Sequence, residues 1–385
     1  MKLAFQLAYE NLIGAGLRTL LTVGVLSFAF VIIILINGFV TGWKEQATRD
    51  LINWEIGSGH LENKNYDPYD PFTITDGHGV LDGNQYQDLS PILIRQAAIF
   101  PSGRMVSVLL KGISTSQTVL KLPTKLLLES SAEIPAIIGK RMAESAHLKV
   151  GDEVLMRWRD KNGIFDAAPV TIVGIFSCNV PSVDQGQIWI SIQKLWQMTG
   201  LKNNATFFIA GENFKEKALP NWNFKSQYLL LADMRKILNS ERIGDAFIYI
   251  LLLAIALLAI FDTQVLSVFR RQREIGTFIS LGMTRAQVVT LFTIEGSMNS
   301  ILAVLVGTAY STPFFIYLTY TGISIPVSSD EMGVTLPSTI YPAFSADLIL
   351  GTIALVVISS TIVSLLPSRK IATMNRVDAL KGKIQ

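Results

Sequence analysis

The sequence predicts a membrane protein: four transmembrane α-helices, with one large mixed α+β extracytoplasmic domain inserted between helices 1 and 2. Three observations predict it. Half of the 385 residues are hydrophobic and only 16% are charged, whereas soluble domains run nearer about 25% charged. Four apolar stretches reach the roughly 20 residues that a helix needs to cross a hydrocarbon core. Between the first and second lies a long segment with equal numbers of basic and acidic residues, the mixed character of an ordinary folded domain.

The elements follow in order. Residues 1–18 place Leu3, Phe5, Leu7, Ala8 and Leu12 near helical spacing beside Lys2, Glu10 and Arg18, the pattern of an amphipathic helix lying in the membrane interface. Residues 19–43 carry no charge and form the first span. The run is too long for the apolar region of a signal peptide, and no small-residue cleavage site follows Phe39.

Residues 44–241 form the outer domain. Its stretch 65–83 is rich in Pro, Gly and Asp and reads as turns. Residues 136–147 read as a short helix. A turn at 148–152 then leads into a strand ending at Arg159. Asn162-Gly163 predicts a tight two-residue hairpin turn, with a return strand at 168–176 and a further strand at 187–192. A helical stretch at 236–242 joins this domain rigidly to the second span, 242–269, which holds Asp245 and Asp262. Residues 270–285 form a basic loop. The third span covers 286–320, and the loop 321–347 carries Asp330, Glu331 and Asp347 but no Lys or Arg. The fourth span, 348–368, is closed by Pro367 and followed by a basic tail, 369–385.

Orientation follows from the basic residues. Lys2 and Arg18, the four arginines between spans two and three, and Arg369, Lys370, Arg376, Lys381 and Lys383 all fall on one side. The positive-inside rule puts that side, with both termini, in the cytoplasm and the large domain outside.

Enzyme chemistry is not legible. One cysteine excludes an internal disulfide framework, and three histidines leave little for a metal cluster. His60 and His78 flank Asp67, Asp70 and Asp76, but at no common ligand spacing. No nucleophile elbow or His-Glu-x-x-His occurs. Gly139-Lys140-Arg141 lacks the rest of a phosphate loop, so the chain is not expected to hydrolyse ATP itself. A net charge of +3 gives no reason to expect nucleic acid.

The informative segment is Arg270 to Arg285. Arg271, Arg273 and Glu274 stand beside a short apolar run from Ile275 to Leu281, broken by Gly276 and ended by Gly282. Thr284 is placed to cap the helix of the third span. This predicts a short amphipathic helix across the cytoplasmic mouth, and an apolar face there needs a partner groove.

Gln-Arg-Glu-Ile-Gly at 272–276, Leu-Gly-Met-Thr-Arg-Ala-Gln at 281–287 and Glu295-Gly296 resemble the coupling-helix signature of FtsX/MacB-type (type VII) ABC transporter permeases. Leu366-Pro367-Ser368-Arg369-Lys370 with Asn375 to Leu380 resembles that family's C-terminal signature. The outer segments 138–152 and 173–176 are similar to its MacB-like periplasmic domain.

The resemblance implies a non-catalytic, dimeric permease in the bacterial inner membrane. It implies two copies of a separate ABC ATPase that bind ATP and Mg, with no cofactor in this chain. Arg271, Arg273, Glu274, Ile275, Gly276, Ile279, Leu281, Gly282, Thr284 and Arg285 would then form the ATPase-coupling helix. Mechanotransmission to the outer domain is the implied mode of action. The paucity of intramembrane charge fits a machine without a polar pathway, Asp262 and Glu295 being the exceptions.

Size and layout resemble the lipoprotein-releasing (Lol-type) branch. That implies extraction of lipoproteins or lipids, with Phe28, Phe30 and Ile34 lining an acyl cavity between spans one and two of the dimer. The second subunit is a further copy or a paralogue. A periplasmic carrier or adaptor is a further partner, although the tight turn at 160–163 is too short for a long carrier-recruiting hook. A MacB-like efflux permease and an FtsX-like regulator of a cell-wall hydrolase are the alternatives.

Overall fold

The computed structural model describes residues 10, 14, 16–81, 88–216, 219–324 and 339–373. Most of the predicted interfacial helix, the acids Asp330 and Glu331, and the tail beyond 373 lie outside the described residues. The chain forms two compact units, one of Met1–Lys44, Leu238–Ile325 and Thr339–Gln385, the other of Glu45–Ile237 and Pro326–Ser338.

The first unit is helical. Among the described residues, four helices are long and apolar enough to cross a membrane, by length and composition: Thr19–Ile56, Ala246–Arg270, Arg285–Thr321 and Ala346–Arg369. Helical structure runs past several of the predicted span ends. The first long helix is Leu17–Leu51 and turns into a π-helical turn, Ile52–Ile56; the second is Ala232–Arg270. Pro367 does not end the fourth, which continues from Ala346 to Thr373. Proline removes one backbone donor, and neighbouring helices and hydroxyl side chains make that tolerable in apolar helices.

The third and fourth helices pack through small residues. Gly296, Ser300, Ala303 and Gly307 follow helical spacing on one, and Ser300 and Ala303 are fully buried. Ser360, Ser364 and Ser368 are fully buried on the other. A Cβ at Gly296 would run into Ser364 Oγ and stand 2.9 Å from Gln264 Nε2. Ser297 and Thr361 join their hydroxyls at 2.9 Å. Small residues let backbones approach where no hydrophobic difference drives helices together. At Gly307 the close neighbour is Phe30, whose ring would lie 2.9 Å from an added Cβ.

The second unit is built on a nine-stranded sheet. Its strands are β1 (Gly59–Asn63), β3 (Leu89–Ile99), β4 (Val106–Ile113), β5 (Pro135–Gly139), β6 (Glu153–Arg159), β7 (Phe165–Phe176), β8 (Gln187–Ser191), β10 (Phe207–Ala210) and β11 (Trp222–Ser226). Two short strands, β2 (Gly79–Val80) and β9 (Asn204–Ala205), pair separately. The order is β11-β1-β10-β3-β4-β8-β5-β7-β6, and β6 pairs back onto β3 at Ala97↔Trp158. Six strands therefore close into a small barrel, with β10, β1 and β11 extending from the first half of β3.

Alternation fills the barrel. Val154, Met156 and Trp158 of β6 and Val170 and Ile172 of β7 point inward with Leu93, Ile99, Leu110, Ile188 and Ile190. Trp158 donates its indole N–H to the Met198 carbonyl at 3.1 Å. A second core of Ile92, Ile94, Ile113, Ile137, Trp189 and Ile209 lies across the sheet.

Two local readings change. Residues 136–139 are strand β5, and the helix begins only at Lys140 and ends at Ala146. Ile137 and Ile138 are β-branched and fully buried between β7 and β8, so tertiary pairing wins over helical spacing. The turn between β6 and β7 is also longer than two residues, because Arg159 pairs with Phe165. Asp160 organises the five-residue loop: its Oδ1 accepts from Asn162 N and Ile164 N, both at 2.8 Å, and Gly163 takes φ +80°.

Candidate functional site

The site is the segment after the second long helix, which ends at Arg270. Arg271 breaks the helix at φ −103°, ψ 19°, and a nine-residue helix, Gln272–Ser280, follows. It ends where Leu281 N and Gly282 N return to the Thr277 and Ile279 carbonyls, with Gly282 at φ +100°. Thr284 then opens the third long helix through a capping box. Its hydroxyl accepts from Gln287 N at 3.3 Å, and Gln287 Oε1 accepts from Thr284 N at 2.8 Å.

The apolar run divides between two faces. Gln272, Ile275, Gly276 and Ile279 face inward, where Ile275 and Ile279 pack with Val268, Val288 and Phe292. Arg273, Glu274, Thr277, Ser280, Leu281, Gly282, Thr284 and Arg285 are exposed. Leu281 is 79% exposed, a large aliphatic side chain on an otherwise polar face. Ile275 and Ile279 therefore anchor the short helix to its own chain and are not free to fill a partner groove.

Arg271 ties the two faces together. Its Nε donates to Glu274 Oε2 at 2.6 Å and its Nη1 to Glu295 Oε2 at 2.9 Å. The guanidinium also stacks over Phe292 at 5.0 Å. Glu295 is nine-tenths buried, so this is a charge-assisted contact at low local dielectric. Glu295 in turn borders a small polar cavity with Thr19, Thr22, Thr263, Gln264, Ser267 and Asn299. Gln264 and Asn299 are buried there, and among the described residues neither Gln264 Oε1 nor Asn299 Oδ1 has a partner. Sequence reasoning singled out Glu295 but missed the rest of this seam. Its signal was polar residues at helical spacing in apolar runs: Glu295 and Asn299 on one helix, Gln264 and Ser267 on another.

Of the three proposed acyl-cavity residues, Phe30 and Ile34 share one buried cluster and Phe28 stands apart on the same helix. Phe30 and Ile34 are buried with Val31, Val304, Phe315 and Val356 of the same chain. Phe28 is 64% exposed. Asp262 is exposed on the second helix.

In the second unit, His60 stacks on Phe207 at 4.5 Å and its Nε2 lies 3.1 Å from the Glu55 carbonyl. His78 Nδ1 lies 2.9 Å from Asn204 Oδ1. The two histidines have separate structural partners, and no group of three or more metal-ligating side chains occurs among the described residues. Burial pushes the Cys178 thiol up to about 12, which removes the reactive thiolate. Burial also raises Asp184, whose carboxylate lies 3.5 Å from Arg141 Nε beside the start of the Lys140–Ala146 helix. At the barrel end, Arg157 and Arg159 stack on Phe165 at 4.8 and 4.4 Å.

Four membrane-length helices and a short amphipathic helix between the second and third fit a polytopic membrane protein, with a polar, exposed face on the short helix. Residues 246–376 match the FtsX-like permease C-terminal family. The chain is 22% identical to the lipoprotein-releasing system transmembrane protein LolC of Buchnera aphidicola subsp. Schizaphis graminum (strain Sg), over 263 residues. That alignment covers 56% of this chain and 62% of the relative, less than two thirds of its length. The extracellular domain of the noncanonic ABC-type transporter YknZ from Gram-positive bacteria aligns over 40% of this chain and 83% of its own. It does so at 13% identity with a TM-score of 0.24, too distant to add to the fold described above. The resemblance to FtsX/MacB-type, Lol-like permeases is borne out by the family match and by LolC.

Proposed function

We propose that this chain is the non-catalytic permease subunit of an ABC transporter that works by mechanotransmission. Its four long helices span the inner membrane, with both termini cytoplasmic and the barrel domain periplasmic. The functional unit pairs two permease subunits, identical or paralogous, with two copies of a separate ATPase that holds ATP and Mg. The observation that carries this reading is the division of the Gln272–Ser280 helix. Ile275 and Ile279 fix it to its own bundle, while Arg273, Glu274, Thr277 and Leu281 face outward. A short helix fixed on one side and presented on the other can pass a partner's movement into the helices it joins.

The client in this reading is a lipoprotein or lipid, a choice supported by the similarity to LolC. Phe28, with the exposed Leu20, Leu21 and Val25 of the same helix, is the surface offered to acyl chains. Gentle purification of the tagged chain from native membranes, with mass spectrometry of proteins and lipids, tests the assignment. An ABC ATPase together with acylated proteins released by ATP is the expected result. An adaptor or a hydrolase without lipoproteins would move the chain to a MacB-like or FtsX-like role, and no ATPase would overturn the permease reading.

A further inference from the structure

The Arg271 guanidinium is shared between two carboxylates in very different surroundings. The Glu274 side chain is 54% exposed on the outward face, whereas that of Glu295 is 11% exposed inside the helical unit. Ile275 and Ile279 on the short helix's inward side are not directional in this way, because their apolar contacts can slide. The seam next to Glu295 is also under-satisfied: Gln264 Oε1 and Asn299 Oδ1 are buried without partners among the described residues. Orphaned acceptors in an apolar setting are costly. A shift of Glu295 therefore opens the seam to water, which can donate to both orphaned carbonyl oxygens. The cavity there measures about 20 Å³, enough for a single water.

We propose that Arg271 is a relay: a partner seated on the exposed face competes for Glu274, and Arg271 conveys that contact to Glu295 and the polar seam. The relay rests on the ATPase-docking reading above and names how that site communicates inward. Arg271 and Glu295 are positioning residues here, since neither touches nucleotide. A basic partner group that takes Glu274 frees one guanidinium edge, and the remaining edge holds Glu295 alone. The second helix, through Gln264, and the third, through Glu295 and Asn299, thereby sense one event.

The test is a double-mutant cycle on the full permease in lipid nanodiscs with the ABC ATPase subunit that co-purifies with it. Arg271→Gln, Glu295→Gln and the double variant are compared for ATPase binding, KM for ATP and permease-dependent kcat. A relay predicts an equal kcat loss, on the order of tenfold, in all three, with the double variant no worse than either single one. Binding and KM stay within about twofold of the wild type. Additive losses, an unchanged kcat, or loss of binding in step with kcat would overturn it. Wild-type permease that neither binds nor stimulates an ATPase would instead overturn the docking reading, and the relay with it.

Discussion

Arg271 Nη1 and Glu295 Oε2 meet at 2.9 Å across 24 residues of chain, joining the break before the short helix to the buried face of the third long helix. Around that pair the segment sorts itself into anchor and surface. Most of what can be tested follows from which side chain lies on which side.

Leu281 and Ile279 should behave differently when given a charge. Leu281→Asp alters only the exposed face, so folding and insertion are retained while ATPase binding falls at least tenfold. Ile279→Asp buries a charge among Val268, Val288 and Phe292 and should cost roughly 2–4 kcal/mol in stability. Thermal unfolding and ATPase capture, measured on both variants, separate the two effects.

Gly296 is a packing constraint. Gly296→Val drives its side chain into Ser364 and Gln264, and overpacking of this kind costs about 1–3 kcal/mol. Gly24, with no neighbour within 4 Å of an added Cβ, is the control: Gly24→Ala should leave melting temperature unchanged or slightly raised. Equal effects at the two positions would contradict the packing described.

Acid stability in the barrel domain should depend on Glu62. Burial works against its charge, but hydrogen bonds from His60 and Lys225, with Lys225 Nζ at 2.6 Å, hold its carboxyl below the usual range. Such a group contributes stability above its unfolded pKa of about 4.3 and loses it as pH falls through the lower folded value. Hydrogen exchange over Gly59–Asn63 and Trp222–Ser226, corrected for intrinsic rates, should weaken in that acid window in the wild type. Glu62→Gln should be less protected at neutral pH by roughly 1–3 kcal/mol and lack the acid-dependent loss.

Topology can be read without removing the native cysteine, because Cys178 is buried and its thiol is pushed up to about 12. Wild-type protein in intact cells should resist maleimide. Single cysteines at Ser102 and Asn162 should label from outside, and one at Ser280 only after permeabilisation. Labelling of Ser280 from outside would reverse the orientation.

The four long helices were legible because length and apolarity suffice for a span, and the cap at Thr284 because capping is local; the reciprocal bond from Gln287 was not read. Strand β5 was not: PAIIG runs without a break into KRMAESA, and only pairing with β7 and β8 makes it extended. Closure of the barrel depends on β3 serving β10 with one half and β6 with the other, a long-range choice that leaves no mark in the local pattern. The segment from Arg271 to Arg285 was legible as residues but not as faces. Ile279 and Leu281 look alike in sequence, yet one is anchor and the other surface.

The most direct measurement places a photocrosslinking amino acid at position 281 of the full-length chain in native membranes, with a control at position 162 on the barrel domain. The account predicts that position 281 captures an ABC ATPase and position 162 does not. Capture of a periplasmic protein at 281, or of the ATPase at 162, would contradict it.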